Sequence, residues 1–142
     1  MQVKHILLEK GTDVVVIGSD STLSEAAGLL FRRRIGALVV KDGAGITGIL
    51  SERDIVRALA EYSVAALGQT VSLHMTRAVS TCRETDTVDA VMETMTHGRF
   101  RHMPVVENEQ LCGIISIGDV VKTLIAETVR EAESLREYIA CG

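Results

Sequence analysis

Two short stretches decide how this chain folds: Gly48-Ile49-Leu50-Ser51-Glu52-Arg53-Asp54 and Gly113-Ile114-Ile115-Ser116-Ile117-Gly118-Asp119. Both consist of a glycine, two apolar residues, a serine and, at the same distance beyond it, an aspartate. When Gly48 is placed on Gly113, the two halves of the chain align without a gap, which indicates an internal repeat. Further identical pairs are Val14 and Val79, Thr22 and Thr87, Arg34 and Arg99, Val40 and Val105, Val56 and Val121, and Leu59 and Leu124.

Each copy predicts the same order of elements, β-α-β-β-α, which is a mixed α/β fold of the α+β type. One copy alone has a marginal core, so we expect the two copies to pack into one globule with pseudo-two-fold symmetry. The segment between them, 62–75, is expected to be helical and packed. The predicted elements of the first and second copies are a strand at 14–17 and 78–81, a helix at 23–33 and 88–98, a strand at 37–40 and 103–106, a strand at 46–50 and 111–115, and a closing helix from about 52 and 117.

The strands before the two stretches, Ile35-Gly36-Ala37-Leu38-Val39-Val40 and Arg101-His102-Met103-Pro104-Val105-Val106, complete a pattern that resembles the cystathionine-β-synthase (CBS) domain. The tandem arrangement resembles a Bateman module, which is a pair of CBS domains, and the resemblance covers nearly the whole chain. It departs from the common pattern at Val39, where the second copy has Pro104. The resemblance implies a first domain at 1–65 and a second domain at 66–142 that ends in an extended C-terminal helix.

The resemblance also implies a regulatory, non-enzymatic module that binds an adenine nucleotide in clefts between the two repeats. AMP, ADP, ATP, NAD and S-adenosylmethionine are all compatible ligands, and no cofactor is required. Binding would shift the packing of the module and so signal to a partner protein that the sequence does not name. The residue chemistry is suitable, since a carboxylate accepts hydrogen bonds from ribose hydroxyls, a serine at a helix start holds phosphate, and aliphatic strand residues enclose adenine.

In CBS pairs each cleft draws residues from both repeats, so the resemblance assigns two sets of ligand-binding residues. Because Gly36, Ala37 and Gly118 leave room whereas Phe100 and Arg53 are bulky, we expect the first cleft to bind more readily. The first set is Asp119, Ser116, Val15, Ile35, Gly36 and Ala37, to which Arg101 and His102 are added. The second set is Asp54, Ser51, Arg53, Ser80, Phe100, Arg101 and His102.

Other interpretations of these residues stay open. The aspartates and serines of the repeated stretches could serve only as helix caps, and the pair could be an interaction scaffold that binds no nucleotide. Arg32-Arg33-Arg34 is either the solvated end of a helix or a phosphate contact at a cleft mouth. The histidines lack metal-ligand spacing, so no metal site is predicted, and no catalytic triad, P-loop or dinucleotide-binding glycine motif is present.

The composition argues against several classes of protein. A formal net charge of -4 and only 3% aromatic residues are unsuited to a protein that binds nucleic acid. The sequence has neither a signal peptide nor a run of apolar residues long enough to span a membrane. Its Cys82, Cys112 and Cys141 lack the spacing of a redox or metal motif. We therefore expect a cytoplasmic protein that binds neither nucleic acid nor a membrane.

The C-terminal segment keeps an apolar rhythm of three and four residues from 121 to 139, with charged residues on the opposite side. A stripe that extends beyond the repeat requires a surface to cover it. This surface is either the N-terminal segment 3–8 or a second copy of the chain, and we expect a homodimer.

Overall fold

The computed structural model describes residues 1–141, and Gly142, the last residue of the predicted second domain, lies outside them. The first half consists of α1 (Val3–Lys10), β1 (Val16–Ile17), α2 (Leu23–Arg33), β2 (Ala37–Asp42), β3 (Gly45–Ser51) and α3 (Glu52–Tyr62). A 3-10 helix (Ser63–Gly68) and the short α4 (Val71–His74) lead to α5 (Val88–Gly98), β4 (His102–Glu107), β5 (Gln110–Ser116) and α6 (Ile117–Cys141). The mixed fold built from two tandem repeats is confirmed, and so is the helical connection between them.

The first strand of each repeat is the least accurate part of the prediction. β1 is shorter than predicted and pairs in parallel with β2, with Val16 opposite Val39. The strand predicted at 78–81 is wrong, because these residues are irregular and the chain rejoins the sheet at Cys82, in an isolated parallel bridge to Val105. Only Val79 in this segment is both apolar and β-branched, so little favours a strand there.

The first helices of the two repeats begin and end in the same way, and both predicted ranges are confirmed. The Thr22 hydroxyl caps α2 and the Thr87 hydroxyl caps α5, each by accepting a 3.1 Å hydrogen bond from a backbone N–H. Each helix is followed by an arginine in the left-handed conformation, Arg34 with φ 56° and Arg99 with φ 57°. The same left-handed turn therefore directs the chain into β2 and into β4.

The two β-hairpins share one register. β2 and β3 are antiparallel with Ala37 opposite Ser51, and β4 and β5 are antiparallel with His102 opposite Ser116. Each hairpin also has one irregularity at the equivalent position. The serines of the two repeated stretches consequently lie at equivalent points, where β3 leads into α3 and where β5 leads into α6.

Two buried apolar clusters form the core, one in each repeat, and most of their members are related by the duplication. This agreement explains why the repeats keep apolar residues at these positions while few are identical. The related pairs are Ile17 and Cys82, Leu23 and Val88, Ala26 and Val91, Leu30 and Met95, Leu38 and Met103, Val40 and Val105, Leu50 and Ile115, and Ile55 and Val120.

Each cluster is completed by a segment that the predicted domain boundary assigns to the other domain. The backbone N–H of Val3 in α1 donates to Asp86 at 2.9 Å, and that of Val71 in α4 donates to Ser21 at 2.7 Å, so the two attachments are alike. The two segments are thus exchanged between the repeats. In side chains, α1 adds Val3, Ile6 and Leu7 to the second cluster, and the connecting segment adds Ala66, Val71 and Met75 to the first.

The three cysteines have different environments, since Cys82 is buried, Cys112 is half-buried and Cys141 is exposed. Burial, followed by the negative charge of Asp86, raises the pKa of the Cys82 thiol to about 12. We therefore expect iodoacetamide to modify Cys82 in the folded protein about a hundredfold more slowly than Cys141. Timed labelling with peptide mass spectrometry measures both rates, and equal rates without denaturant would contradict this expectation.

The extended C-terminal helix is confirmed, because α6 continues to Cys141. Its first part packs on α5 and α1, and the N-terminal ammonium of Met1 lies 2.8 Å from the Glu127 carboxylate. Val121, Ile125, Leu135 and Ile139 of the stripe are nevertheless exposed, so the N-terminal segment leaves most of it uncovered. Neither α6 nor any other helix within residues 1–141 combines the length and the apolar character that crossing a membrane requires.

Candidate functional site

The two repeated stretches fold into the same local structure at the start of a helix. Asp54 Oδ2 accepts hydrogen bonds from the Ser51 backbone N–H at 2.9 Å and from the Ser51 hydroxyl at 3.1 Å. Asp119 Oδ2 accepts the equivalent bonds from Ser116 at 2.9 Å and 3.0 Å. Each serine hydroxyl also accepts the backbone N–H of the aspartate, so the serine caps the helix and the aspartate completes the capping box. In each carboxylate the second oxygen, Oδ1, lies outside this arrangement and can accept further hydrogen bonds.

A cavity of about 800 Å³ lies between the two repeats, a volume in the range of small-molecule sites. Residues of α3 form one side of it, and the other side is formed by residues 98–102, which lead into β4, with the irregular segment before Thr81 and the start of α6. We call this cavity the Asp54 cleft. Every residue of the second set lines it: Asp54, Ser51, Arg53, Ser80, Phe100, Arg101 and His102.

Positive side chains outnumber negative ones on the wall of the Asp54 cleft, which therefore suits an anionic ligand. Arg57 was missed by the sequence reasoning, although its position one helical turn after Asp54 puts both residues on one face of α3 and could have indicated it. The basic residues on the wall are Arg53, Arg57, Arg99, Arg101 and His102, and the acidic ones are Glu52 and Asp54.

The Asp54 carboxylate is almost fully buried, with a side-chain exposure of 4%. Its Oδ1 lies 3.2 Å from the guanidinium of Arg57, whose side chain is 61% exposed. An ion pair with so exposed a partner is weak, because water screens it and the arginine loses side-chain entropy. Hydroxyl groups of a sugar can therefore displace the guanidinium and donate to Oδ1.

Only part of the first set lies in this cavity, which Arg101 and His102 line as members of both sets. Gly36 and Ser116 lie on its wall together with Gly118, so it extends toward the second repeated stretch but ends before the aspartate. The expectation that the first cleft binds more readily stays a prediction. The members of the first set outside the lining are Val15, Ile35, Ala37 and Asp119.

Asp119 is paired with Lys10, the last residue of α1. The Lys10 ammonium lies 2.6 Å from Asp119 Oδ2 and donates to the backbone oxygen of Ile114 at 3.0 Å. Burial raises the pKa of Asp119, but hydrogen bonds from Lys10 and Ser116 outweigh this, so the pKa lies below its usual value. Nothing in the local sequence links position 10 to position 119, so sequence reasoning missed Lys10.

His102 belongs to both sets of residues, and its ring lies against Gly36 of the first set. A Cβ built on Gly36 would be 3.0 Å from His102 Nε2, so the imidazole packs against the Gly36 backbone. Burial is the main cause that lowers the pKa of His102. The Glu52 carboxylate opposes this effect, and Lys10 adds to it.

The pH dependence of folding follows from this lowered pKa. Below the ordinary value of 6.5 the unfolded chain binds more protons at His102 than the folded one. The stability that the neutral His102 contributes is therefore fully present above this value. It decreases as the pH is lowered toward the pKa of His102 in the folded protein. We expect His102→Gln to flatten the pH dependence of the free energy of unfolding between about pH 7 and pH 5. Urea denaturation measures it, with His97→Gln, at an exposed site, as the control; parallel curves for both variants and the unaltered chain would contradict it.

Residues 32–34 are not part of the lining of the Asp54 cleft. Arg32 and Arg34 are exposed and border a surface groove of about 830 Å³ between α2 and α3, which adjoins the cleft at Gly36, Glu52 and Val56. This location favours the solvated helix end over a phosphate contact. Within residues 1–141 no group of three His, Cys, Asp or Glu side chains is arranged to hold a metal ion.

Comparison with known families matches the duplicated architecture twice. The family model for the CBS domain covers residues 3–61 and, a second time, 70–126. This chain is a pair of CBS domains. The second match begins inside the connecting segment, so Val71 and Met75, which complete the first core cluster, lie within it.

Solved CBS proteins have the same fold as this CBS pair. The CBS-domain containing protein ATU1752 from Agrobacterium tumefaciens is 53% identical with a TM-score of 0.83, over 85% of this chain and 91% of that one. The CBS domain pair of protein MJ0100, solved in complex with 5′-methylthioadenosine and S-adenosyl-L-methionine, is 28% identical with a TM-score of 0.80, over 89% of this chain and 98% of that one.

One curated relative is longer than this CBS pair. The mitochondrial CBS domain-containing protein CBSX3 from Arabidopsis thaliana is 33% identical over 130 residues, which are 87% of this chain and 63% of that protein. This chain therefore spans less than two thirds of the length of that relative.

Proposed function

We propose that this CBS pair is a regulatory module that binds a phosphate-bearing adenosyl ligand in the Asp54 cleft and signals its presence to a separate protein. The observation that carries the proposal is one cavity that combines a buried carboxylate, apolar walls and a cluster of arginines. The similar CBS pair of MJ0100 holds two adenosyl compounds, which supports this class of ligand. The role assigned is binding, and no residue is given a catalytic task.

The parts of such a ligand correspond to different walls of the cleft. Asp54 Oδ1 accepts hydrogen bonds from the two ribose hydroxyls. The negative charge of the carboxylate strengthens both bonds. Val79 and Phe100 supply apolar contacts for the adenine ring. Arg53 and Arg99, which approach each other through a 3.5 Å contact from the Arg53 guanidinium to the Arg99 backbone oxygen, hold the phosphates.

The charge of the cleft favours AMP, ADP, ATP or NAD over S-adenosylmethionine. Each phosphate adds negative charge next to the arginines, whereas a sulfonium adds positive charge there. The same reasoning predicts that affinity rises with the number of phosphates and falls with ionic strength.

Isothermal titration calorimetry and thermal unfolding with each of these five compounds test the proposal. A compound that binds the folded state raises its stability by about 2.7 kcal/mol at a hundred times its Kd. We expect the largest stabilisation from the phosphate-rich nucleotides. If none of the five changes the melting temperature or gives a heat of binding, the chain is an interaction scaffold and the proposal is wrong.

The signal would arise from the way the ligand joins the two repeats. Ser51 and Arg53 of the first repeat and Ser80 and Phe100 of the second contact one cavity, so a bound ligand favours a particular arrangement of the repeats. A partner protein that binds this arrangement preferentially would respond to the ligand, and the coupling is reciprocal.

We also propose that two copies of the chain associate through α6. The apolar stripe of α6 includes residues that follow the spacing of a coiled coil, namely Val121, Ile125, Thr128, Ala132, Leu135 and Ile139. In this heptad Glu131 and Arg136 occupy the two flanking positions. In a parallel pair Glu131 of one subunit therefore faces Arg136 of the partner subunit, and this charge complementarity argues for a second copy as the occupant.

Substitution of Leu135 by glutamate tests this association. Leu135→Glu puts a charge on the apolar stripe, and we expect the dissociation constant of the dimer to rise by about a hundredfold or more. Size-exclusion chromatography with light scattering measures the mass of the particle in solution. Ser134→Glu, which adds the same charge outside the stripe, is the control. A monomeric unaltered chain, or equal masses for both variants, would contradict the prediction.

A further inference from the structure

We propose that Lys10 closes the second of the two possible ligand sites, so that the CBS pair binds one nucleotide, at Asp54, and none at Asp119. The inference rests on the proposed function, because it concerns the stoichiometry of the same kind of ligand. It assigns Lys10 as a residue that determines which of two duplicated sites is open.

The duplicated chain would be expected to build two equivalent sites, since both carboxylates have the same caps. The difference originates in the exchanged segments. After α4 the chain becomes extended and pairs with β3, where Thr76 exchanges backbone hydrogen bonds of 2.9 Å and 3.0 Å with Ile49. Its continuation, Ala78 to Ser80, then lines the Asp54 cleft with small side chains.

The equivalent segment of the second repeat remains helical for longer. α1 continues to Lys10, whose ammonium donates at 3.0 Å to the backbone oxygen of Ile114, the residue that corresponds to Ile49. A lysine side chain therefore lies beside β5 where extended backbone lies beside β3. From this point the ammonium also reaches Asp119 at 2.6 Å.

The Lys10–Asp119 ion pair lies outside the Asp54 cleft. The lining of the cleft includes Ser116, Ile117 and Gly118 but neither Asp119 nor Lys10, so the open space does not reach this carboxylate. The side chains of Lys10 and Asp119 are 34% and 24% exposed, and the ammonium has two protein acceptors. The ammonium contacts Oδ2 rather than Oδ1, but at 2.6 Å it neutralises the charge of the carboxylate, so a ribose hydroxyl at Oδ1 meets a weaker acceptor than it would without Lys10.

The cation beside Asp54 is a weaker competitor. Arg57 contacts Oδ1, the oxygen proposed to accept the ribose hydroxyls, but its side chain is 61% exposed and can turn into solvent, whereas that of Lys10 is 34% exposed and is also held by the Ile114 backbone oxygen. The counterpart of Arg57 in the second repeat, Lys122, lies 3.7 Å from Glu9 instead. Lys10 is consequently the cation whose removal should free the Asp119 carboxylate.

Calorimetric titration with ATP on the full chain tests this assignment. We expect one binding site in the unaltered chain and two in Lys10→Ala, with affinity at Asp119 raised by about tenfold or more. Lys10→Arg keeps the cation and should retain one site. Lys4→Ala, which removes an exposed charge from the same helix, is the matched control and should also retain one site. Adding Asp119→Ala to Lys10→Ala should restore one site.

The outcomes separate this inference from the proposed function. If the unaltered chain binds no nucleotide, the proposed function fails. If it binds one nucleotide that Asp54→Ala abolishes, but Lys10→Ala still binds only one, the function stands and the inference is wrong. Two sites in the unaltered chain, or weaker binding in Lys10→Ala, would also overturn it, because Lys10 would then permit or contact the ligand.

Discussion

Replacing Asp54 with alanine is expected to weaken nucleotide binding by about a hundredfold or more. The carboxylate is the group proposed to accept both ribose hydroxyls, and each hydrogen bond to a charged group contributes about 1.5 to 3 kcal/mol. Asp54→Ala also removes a helix cap, so the variant should unfold more easily by about 1 kcal/mol. Isothermal titration calorimetry with ATP, performed well below the melting temperature, measures the loss of affinity.

Two matched variants separate binding from folding. Asp54→Asn retains an oxygen that can accept the Ser51 N–H but lacks the negative charge. This variant should therefore fold like the unaltered chain but bind ATP weakly. Asp119→Ala removes the equivalent cap from α6, and we expect it to lose stability while keeping its affinity for ATP. Equal losses of affinity in the Asp54 and Asp119 variants would mean that capping alone explains the repeated aspartates.

The second large effect is expected from Gly48→Ala, which should destabilise the fold by about 2 to 3 kcal/mol. A Cβ at Gly48 would lie 2.8 Å from both Met75 Sδ and the backbone oxygen of Thr76. The side chain can move, but the backbone oxygen is fixed by its pairing with Ile49. The close approach of the connecting segment to β3 is therefore the reason for a glycine at this position.

Gly113→Ala is the matched control for this prediction, because it alters the equivalent residue of the second repeat. There a Cβ would meet only Leu7 side-chain atoms, the nearest at 2.7 Å, and these methyl groups can shift. We expect Gly113→Ala to cost about 1 kcal/mol or less. Urea denaturation gives both free energies of unfolding, and a larger loss for Gly113→Ala would show that the segment beside β3 adapts more readily than α1.

The sequence predicted most of the fold because its strongest signals are local. The predicted ranges of α2 and α5 match the structure, and the spacing of Gly48 and Asp54 repeated at Gly113 and Asp119 located both strand-to-helix junctions. Such features depend on neighbours close in the chain. The residues of the Asp54 cleft were predicted as a set because the family resemblance, rather than any local pattern, relates the two repeats.

The surroundings of Asp119 were not predictable in this way. Residue size, by which Gly36 and Ala37 leave room in the first cleft, takes no account of the His102 ring, which packs against Gly36. The partner of Asp119 is Lys10, far away in sequence, and its position depends on how long α1 continues. Helix ends and long-range ion pairs are determined by tertiary packing, which the pattern of a single sequence does not encode.

α1 leaves the ribosome before the rest of the two repeats, but the surface against which it packs is made late. Val3, Ile6 and Leu7 pack with Met103 and Ile115, which are translated after the whole first repeat. The first repeat, by contrast, has all its partners as soon as Met75 has emerged. During translation the N-terminal apolar residues therefore remain without their native contacts while the first repeat folds beside them, and the Lys10 ammonium reaches Asp119 only in the final stage of assembly.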